Sequence, residues 1–305
     1  MTMRIGIFGG LAATASIDEM VDDVRTAEDE GFASYWVPQI FGYDALTLLA
    51  VVGRETHTIE LGTSVVPTYP RHPAMLAAQA LTTQQAAGGR FTLGIGLSHQ
   101  PVIEHMFGMS FDKPVRHLRE YLDILMPLVD GQPVSASGET LSANVTLDVP
   151  DTRPVPVMVA ALGPQMLQLA GSRTAGTITW MTGPRTIEAH TAPALRAAAE
   201  EAGNPGTRIA CGLPVCVTDD VDRTRERAAQ AYQIYGQLPS YRAMLDREGA
   251  DGPADVAIIG DEATVEARIR GLADAGVTDF AASEFGSGED ERRRTRELLR
   301  SILPR

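Results

Sequence analysis

Two spacings alternate along this chain. Short apolar runs, four to ten residues long, are separated by longer stretches in which apolar residues recur every third or fourth position. The short runs read as strands: Arg4–Phe8, Ser34–Val37, Ile59–Val66, Phe91–Leu97, Val155–Ala160, Thr177–Trp180, Arg208–Val217 and Val277–Ala281. The longer stretches read as helices, and several carry their own start signals. Ser16 with Glu19 three residues on has capping-box spacing, and Ile17, Met20, Val21, Val24 and Ala27 then share one helical face. Asp44 and Asp261 stand where caps are needed, and Pro73, Pro164 and Pro184 suit first helical turns. Eight strands alternating with helices predict one closed (β/α)8 TIM barrel, a single domain over residues 1–305. Two stretches break the rhythm. Gly131–Pro154 reads as a small excursion, a hairpin, before the fifth strand. Gly236–Asp255 reads as an insertion before the last helix–strand unit.

Composition changes this picture little. Hydrophobic residues are 44% and charged residues 21%, ordinary for a soluble globular protein. A formal net charge of -13 argues against nucleic acid, whose backbone demands a positive face. The arginines from Arg292 to Arg294 lie among acids on the expected terminal helix and read as a solvated face. Cys211 and Cys216 form no CxxC pair and read as small apolar residues of one strand, which fits the cytosol. The apolar run after Arg4 is too short for a signal peptide, and no run reaches the length of a membrane span. His57, His105, His117 and His190 have no partner at metal-ligand spacing, so no metal is expected. GIFGG near the N-terminus lacks the rest of a dinucleotide fingerprint.

The chemistry converges on Phe91–Gln100, FTLGIGLSHQ. Gly94 and Gly96 fall on one face, where something bulky must approach the backbone. Ser98, His99 and Gln100 then place a hydroxyl, an imidazole and an amide at the strand end, where a parallel barrel puts its chemistry. A buried strand with a solvated turn and an ordinary loop histidine would read the same way, and this stretch alone favours neither.

Several stretches taken together resemble the luciferase-like monooxygenase superfamily, in its coenzyme F420-dependent branch. They are EGFASYWVPQ, IELGTSVVPTYPRHPAMLAAQALT, GGRFTLGIGLSHQ, PVPVMVAALGP, AGTITWMTGP and GDEATVEARIRGLADAGVTDF. The resemblance covers nearly the whole chain. It implies a flavin or deazaflavin at the C-terminal mouth, hydride passing at the ring face, and a homodimer. It places a non-proline cis peptide at Ser64–Val65, against the ring. It also makes Ala160-Ala161-Leu162-Gly163-Pro164 a phosphate-binding turn, and the physics agrees, because free amides at a helix start favour an anion. A plain strand-to-helix turn would use Gly-Pro as well. Met181, Thr182 and Gly183 would wall the same groove, and Ser98 with His99 would meet the ring. A generic barrel holds phosphate after its last two strands instead.

The chain also departs from that pattern. Dehydrogenases of the branch carry an Asp-His or similar pair after the second strand and a glutamate after the fourth. Here those positions hold Gln39, Ile40 and His99. Gln39 is no base and Ile40 does not titrate. A reductase asks for less: hydride goes to an activated double bond, an imine or a nitro group, and a weak acid or water supplies the proton. The expected catalytic residues are therefore His99, as proton donor or ring partner, and Gln39, as an orienting group. Phe41, Tyr43 and Tyr69 are candidates for an aromatic wall. Arg71 and Arg185 are the arginines nearest the site in sequence, while Arg71 and His72 read as organisers of a helix start. The alternatives are a monooxygenase using reduced FMN and a flavin-binding barrel without catalysis. The substrate is a small molecule set by loops such as Gly42–Tyr43 and Gly236–Gly252, which carry no transferable motif.

Overall fold

The structure is a computed structural model that describes residues 3–9, 15–151 and 153–304; the boundary glycine Gly10 falls outside them. Eight parallel strands close on themselves: β1 (Arg4–Phe8), β2 (Ser34–Val37), β3 (Glu60–Thr63), β4 (Phe91–Gly96), β5 (Val157–Ala160), β6 (Gly176–Trp180), β7 (Arg208–Val217) and β8 (Asp279–Glu284). Each pairs with the next in order, and β8 closes the ring on β1 with Arg4 opposite Asp279. A helix or helical segment follows each strand, as in a TIM barrel.

The local signals act as their chemistry requires. Ser16 accepts from the Glu19 amide while the Glu19 carboxylate accepts from the Ser16 amide, so the first helix, Ile17–Asp29, starts there. Asp44 accepts from the Thr47 amide at the start of Ala45–Glu55, and Asp261 does the same with Thr264 at Glu262–Asp274. His72 accepts from the Ala74 amide, which gives it the structural role expected at that helix start.

Because side chains alternate along a strand, every second residue points into the barrel. At the N-terminal end these are charged. Arg208 makes a forked contact with Asp279 (3.0 and 2.7 Å) and reaches Glu60 at 2.8 Å; Arg4 also pairs with Glu60, and Thr92 donates to Glu60 at 2.7 Å. Burial pushes Glu60 up, but Arg208 and Arg4 outweigh it and hold the carboxyl below its usual value. Above this plug an apolar layer of Phe8, Trp36, Met158, Ile178, Ala210 and Ala281 fills the interior. The larger core lies outside the wall, between strands and helices.

Several elements differ from expectation. The third strand breaks after Thr63, where Ser64–Val65 is a cis peptide, and resumes as Val66–Pro67 alongside β4. The fourth strand ends at Gly96, short of the expected Leu97, and the eighth starts two and ends three residues later than expected, with its first residue, Asp279, held by Arg208. Val102–Met106 is one wide π-helical turn. Ile258–Gly260 adds a short strand on the outer end of the long β7, a pairing that sequence reasoning missed. The excursion is the expected hairpin, Val134–Ser137 with Ser142–Val145. The insertion is helical, with Pro239–Glu248 and Pro253–Val256, and follows the helices Val221–Ala231 and Gln233–Gln237. Among the described residues, no helix is long and apolar enough to cross a membrane.

Candidate active site

A cavity of about 900 Å³ opens at the C-terminal mouth, within the usual size of a small-molecule site. Its floor is the apolar layer, represented by Phe8, Ile178 and Trp180. Ser64, Val65, Gly96, Ser98 and His99 form one side, Gln39 to Phe41 another, and Ala160, Leu162 and Gly163 a third. The glycines of β4 explain how these parts meet. A side chain at Gly94 would stand 1.9 Å from the Thr63 carbonyl oxygen, and one at Gly96 would stand 2.7 Å from Val65. The bulky neighbour expected beside the glycines is thus the broken third strand itself. The Thr63 hydroxyl donates to the Gly94 carbonyl (2.8 Å) and accepts from the Gly94 amide (2.9 Å), bridging the break.

Ser98 adopts φ +62, a left-handed conformation uncommon for a residue with a side chain, and the chain turns there at the end of β4. The carbonyl of His99 accepts from the Val102 and Ile103 amides, which anchors the turn. Its ring meets Tyr241 edge-on, with centroids 5.7 Å apart. Burial lowers the His99 pKa, so the imidazole is neutral near pH 7. Neither the Ser64 nor the Ser98 hydroxyl has a hydrogen-bond partner among the described residues. Gln39 is largely committed: its carbonyl oxygen accepts from the Ala45 amide at 2.8 Å and faces Arg71 at 3.4 Å, and its NH2 donates to the Ile40 carbonyl at 3.4 Å, leaving the second N–H as the group it can offer. Arg71 is spent in an ion pair with Asp44.

The helix starts that follow the last four barrel strands could attract an anion, and they are not equivalent. At Gly163 the ten-residue helix Pro164–Arg173 has no side-chain cap and no acid in its first turn, and the position of a side chain on Gly163 is empty space. At Gly183 the place is taken. The Glu248 carboxylate accepts from the Arg185 amide (3.2 Å) and the Thr186 amide (2.8 Å) and fills the space beside Gly183. Asp220 caps its own helix through the Arg223 amide. After β8 the helix Glu289–Ser301 begins with Glu289, Asp290 and Glu291, which repel an anion. Of these four only Gly163 is open; the helices Pro114–Val129 and Pro239–Glu248 also begin beside the cavity without a side-chain cap or a first-turn acid, but behind the side chains of Lys113 and Leu238 rather than a glycine.

The structure therefore brings Gln39, Ser64, Val65, Ser98, His99, Ala160, Leu162 and Gly163 to one cavity. It does not bring Ala161, Met181, Thr182 or Gly183 there. Ala161, Met181 and Thr182 are wholly buried, and Glu248 covers Gly183. Trp180, one residue before Met181, lines the cavity instead. Of the expected aromatic wall only Phe41 lines it. Tyr69 lies behind, stacked on His117 at 3.9 Å and on Phe111 at 5.1 Å. Arg185 is exposed on the far side of the Glu248 contact and gives no basic rim.

A model of the luciferase-like monooxygenase family matches residues 2–302. The chain belongs to that family. Among its relatives is a Mycobacterium tuberculosis protein provisionally assigned as a coenzyme F420-dependent oxidoreductase. The two are 30% identical over 269 residues, which is 83% of this chain and 76% of the other. The 5,10-methylenetetrahydromethanopterin reductase of Methanolobus tindarius is 28% identical over 280 residues, covering 90% of this chain and 85% of the other. Among solved structures, the coenzyme F420-dependent tetrahydromethanopterin reductase from Methanopyrus kandleri shares the fold, with a TM-score of 0.82 over 99% of each chain at 23% identity.

In this luciferase-like chain, the wall that sequence reasoning missed comes from the helical segment after β7, residues 232–241. Tyr232, Tyr235 and Tyr241 line the cavity with Ile234 and Leu238. The rings pack edge to face: Trp180–Tyr232 at 5.9 Å, Trp180–Tyr235 at 6.2 Å and Tyr235–Tyr241 at 5.0 Å. One signal was available: three of the seven tyrosines fall within ten residues of a stretch with no other evident purpose. Among the described residues no group of three or more His, Cys, Asp and Glu could hold a metal.

Proposed function

We propose that this chain is a coenzyme F420-dependent reductase, passing hydride from the reduced deazaflavin to an unsaturated carbon of a small organic acceptor. One observation carries the reading: the uncapped helix start at Gly163 opens into the same cavity as Ser64–Val65 and Ser98–His99. An anion site and a flat, largely apolar slot with unspent hydroxyls lie together, which suits a ring on a phosphate-bearing tail. The amides following Gly163 would hold the phosphate, with Ala160 and Leu162 beside it. Ser64, Val65, Ser98 and His99 would hold the ring. When bound, the reduced deazaflavin supplies the hydride.

The protein's own residues supply position and shielding. The Phe8–Trp180 stack, with centroids 4.9 Å apart, closes the floor against water from the barrel interior. Gln39 offers its NH2 and His99 an imidazole N–H to charge that develops on the acceptor. The acid role expected of His99 would need an imidazolium, which its burial disfavours, so solvent at the open mouth delivers the proton. Alcohol oxidation would need a base matched to neutral pH. A depressed His99 without a carboxylate partner is a weak one, and this favours the reductive direction.

The test is a fluorescence titration with oxidised coenzyme F420 and, separately, with FMN, on the wild type and Gly163→Asp. The backbone of Gly163 is extended (φ -83) and has room for a side chain, so Asp caps the helix and the fold keeps or gains a few tenths of a kcal/mol. The same carboxylate repels a phosphate, and coenzyme affinity should fall by about tenfold or more. Preferential FMN binding would move the chain to oxygen-using chemistry. Unchanged coenzyme affinity in Gly163→Asp would remove the phosphate site.

A further inference from the structure

The charge distribution around the cavity identifies the acceptor more closely than the family does. Among the described residues that line it, none is Asp, Glu, Lys or Arg. The charges nearby are already used. Arg71 pairs with Asp44, Glu248 holds the amides at Gly183, and Glu104 accepts from Gln100 at 3.0 Å. The titratable side chains on the wall stay neutral: burial lowers His99, raises Tyr235 and Tyr241, and pushes Tyr232 up to about 12. A charged group brought against such a wall loses water and gains no counter-ion.

The entrance is apolar as well. Ile40, Phe41, Phe107 and Ile234 remain exposed at the mouth, Phe41 by 64% and Ile234 by 56%, and Phe41 meets Phe107 edge-on at 6.3 Å. Inside, the Trp180–Tyr235–Tyr241 wall offers ring faces and edges to a flat guest. Each of three polar groups left over can still donate a hydrogen bond: the second N–H of Gln39, the Ser98 hydroxyl and an imidazole N–H of His99. Donors without a cation suit a carbonyl oxygen better than a carboxylate.

Resting on the reductase reading above, we propose that the acceptor is an uncharged, flat, conjugated carbonyl compound, and that the cavity rejects the same skeleton carrying a carboxylate or a quaternary ammonium. Reduction of such a compound places hydride on the β-carbon and shifts the C=C pair onto the carbonyl oxygen as an enolate. A solvent proton on the α-carbon completes the saturated ketone. Both electrons arrive with the hydride, and the coenzyme ends oxidised.

The experiment needs no coenzyme; it is run in inorganic phosphate, so that the open helix start at Gly163 is occupied and cannot hold the anionic probe. Benzylideneacetone, its para-carboxylate and its para-trimethylammonium derivative are titrated in turn against the protein, followed by quenching of intrinsic tryptophan fluorescence. The chain has two tryptophans. Trp180 lines the cavity, while Trp36 is sealed in the barrel and donates to Ser34 at 2.9 Å, so Trp180→Phe removes the signal and validates it. The neutral probe should bind about 30-fold more tightly than either charged one. Ile234→Arg, at the exposed rim, should bring the carboxylate probe to within about fivefold of the neutral one. Equal or tighter binding of a charged probe, no binding of the neutral probe, or no gain in Ile234→Arg would each overturn the proposal. Failure of the coenzyme titration with the charge sorting intact would remove the cofactor and leave the ligand class standing; the converse would remove only the ligand class.

Discussion

The two ends of this barrel handle charge in opposite ways. At the N-terminal end Arg4, Glu60, Arg208 and Asp279 are gathered inside the ring of strands and satisfied by one another. At the C-terminal end no charged side chain lines the interior among the described residues. The difference is one of purpose. A buried network with every member paired closes and registers the barrel, whereas a neutral slot with unspent hydrogen-bonding groups is kept for something that is not part of the chain. Glu248 sharpens the contrast, because it fills the helix start at Gly183 while the one at Gly163 stays open.

The comparison breaks most visibly at the plugged end. Arg208→Met should leave Glu60 and Asp279 undercompensated and cost about 3 kcal/mol or more, read as a drop in the midpoint of urea unfolding. If the midpoint holds, the network is not what closes the barrel. At the open end His99→Ala should behave in the reverse way. Turnover with a conjugated ketone should fall by about 10- to 100-fold, while thermal stability shifts little, since the His99 ring meets Tyr241 edge-on and its side chain makes no hydrogen bond among the described residues. A large stability loss would make His99 a packing residue.

A third test uses the charges that lie at the mouth end but outside the wall. Glu284, at the end of β8, faces Arg296 at 2.7 Å, with Asp23 and Glu30 close by on the same arginine. Burial pushes the Glu284 carboxyl up to about 7 from 4.5, against the pull of Arg296. Between those values the folded protein binds a proton that the unfolded chain has released, so this group makes stability fall as pH rises from about 4.5 to 7. Glu284→Gln should therefore raise the melting temperature at pH 8 and change it much less at pH 4.5, with cavity binding unaffected. The smallest effect belongs to the rim: Phe41→Ala, at an exposed side chain, should change stability by about 0.5 kcal/mol or less and weaken the neutral probe only a few-fold.

Much of this architecture was legible without coordinates because its causes are local. A capping Ser16 or Asp44 acts on amides two or three residues away, and strand alternation repeats every second residue, so β1, β2 and β7 fall where the apolar runs place them. The same holds for the turn at Gly163 and for Ser98–His99 at a strand end. Tertiary structure decided what depends on residues far apart in the chain. Glu248 reaches the amides of Arg185 and Thr186, more than sixty residues earlier, and so turns one of two similar Gly-Pro turns into a filled site. Tyr232, Tyr235 and Tyr241 become a wall only when the chain after β7 folds back across the mouth. The neutrality of that mouth is also a property of assembly. With 26 basic and 39 acidic residues in the chain, only the closing of eight strands determines which end of the barrel they reach.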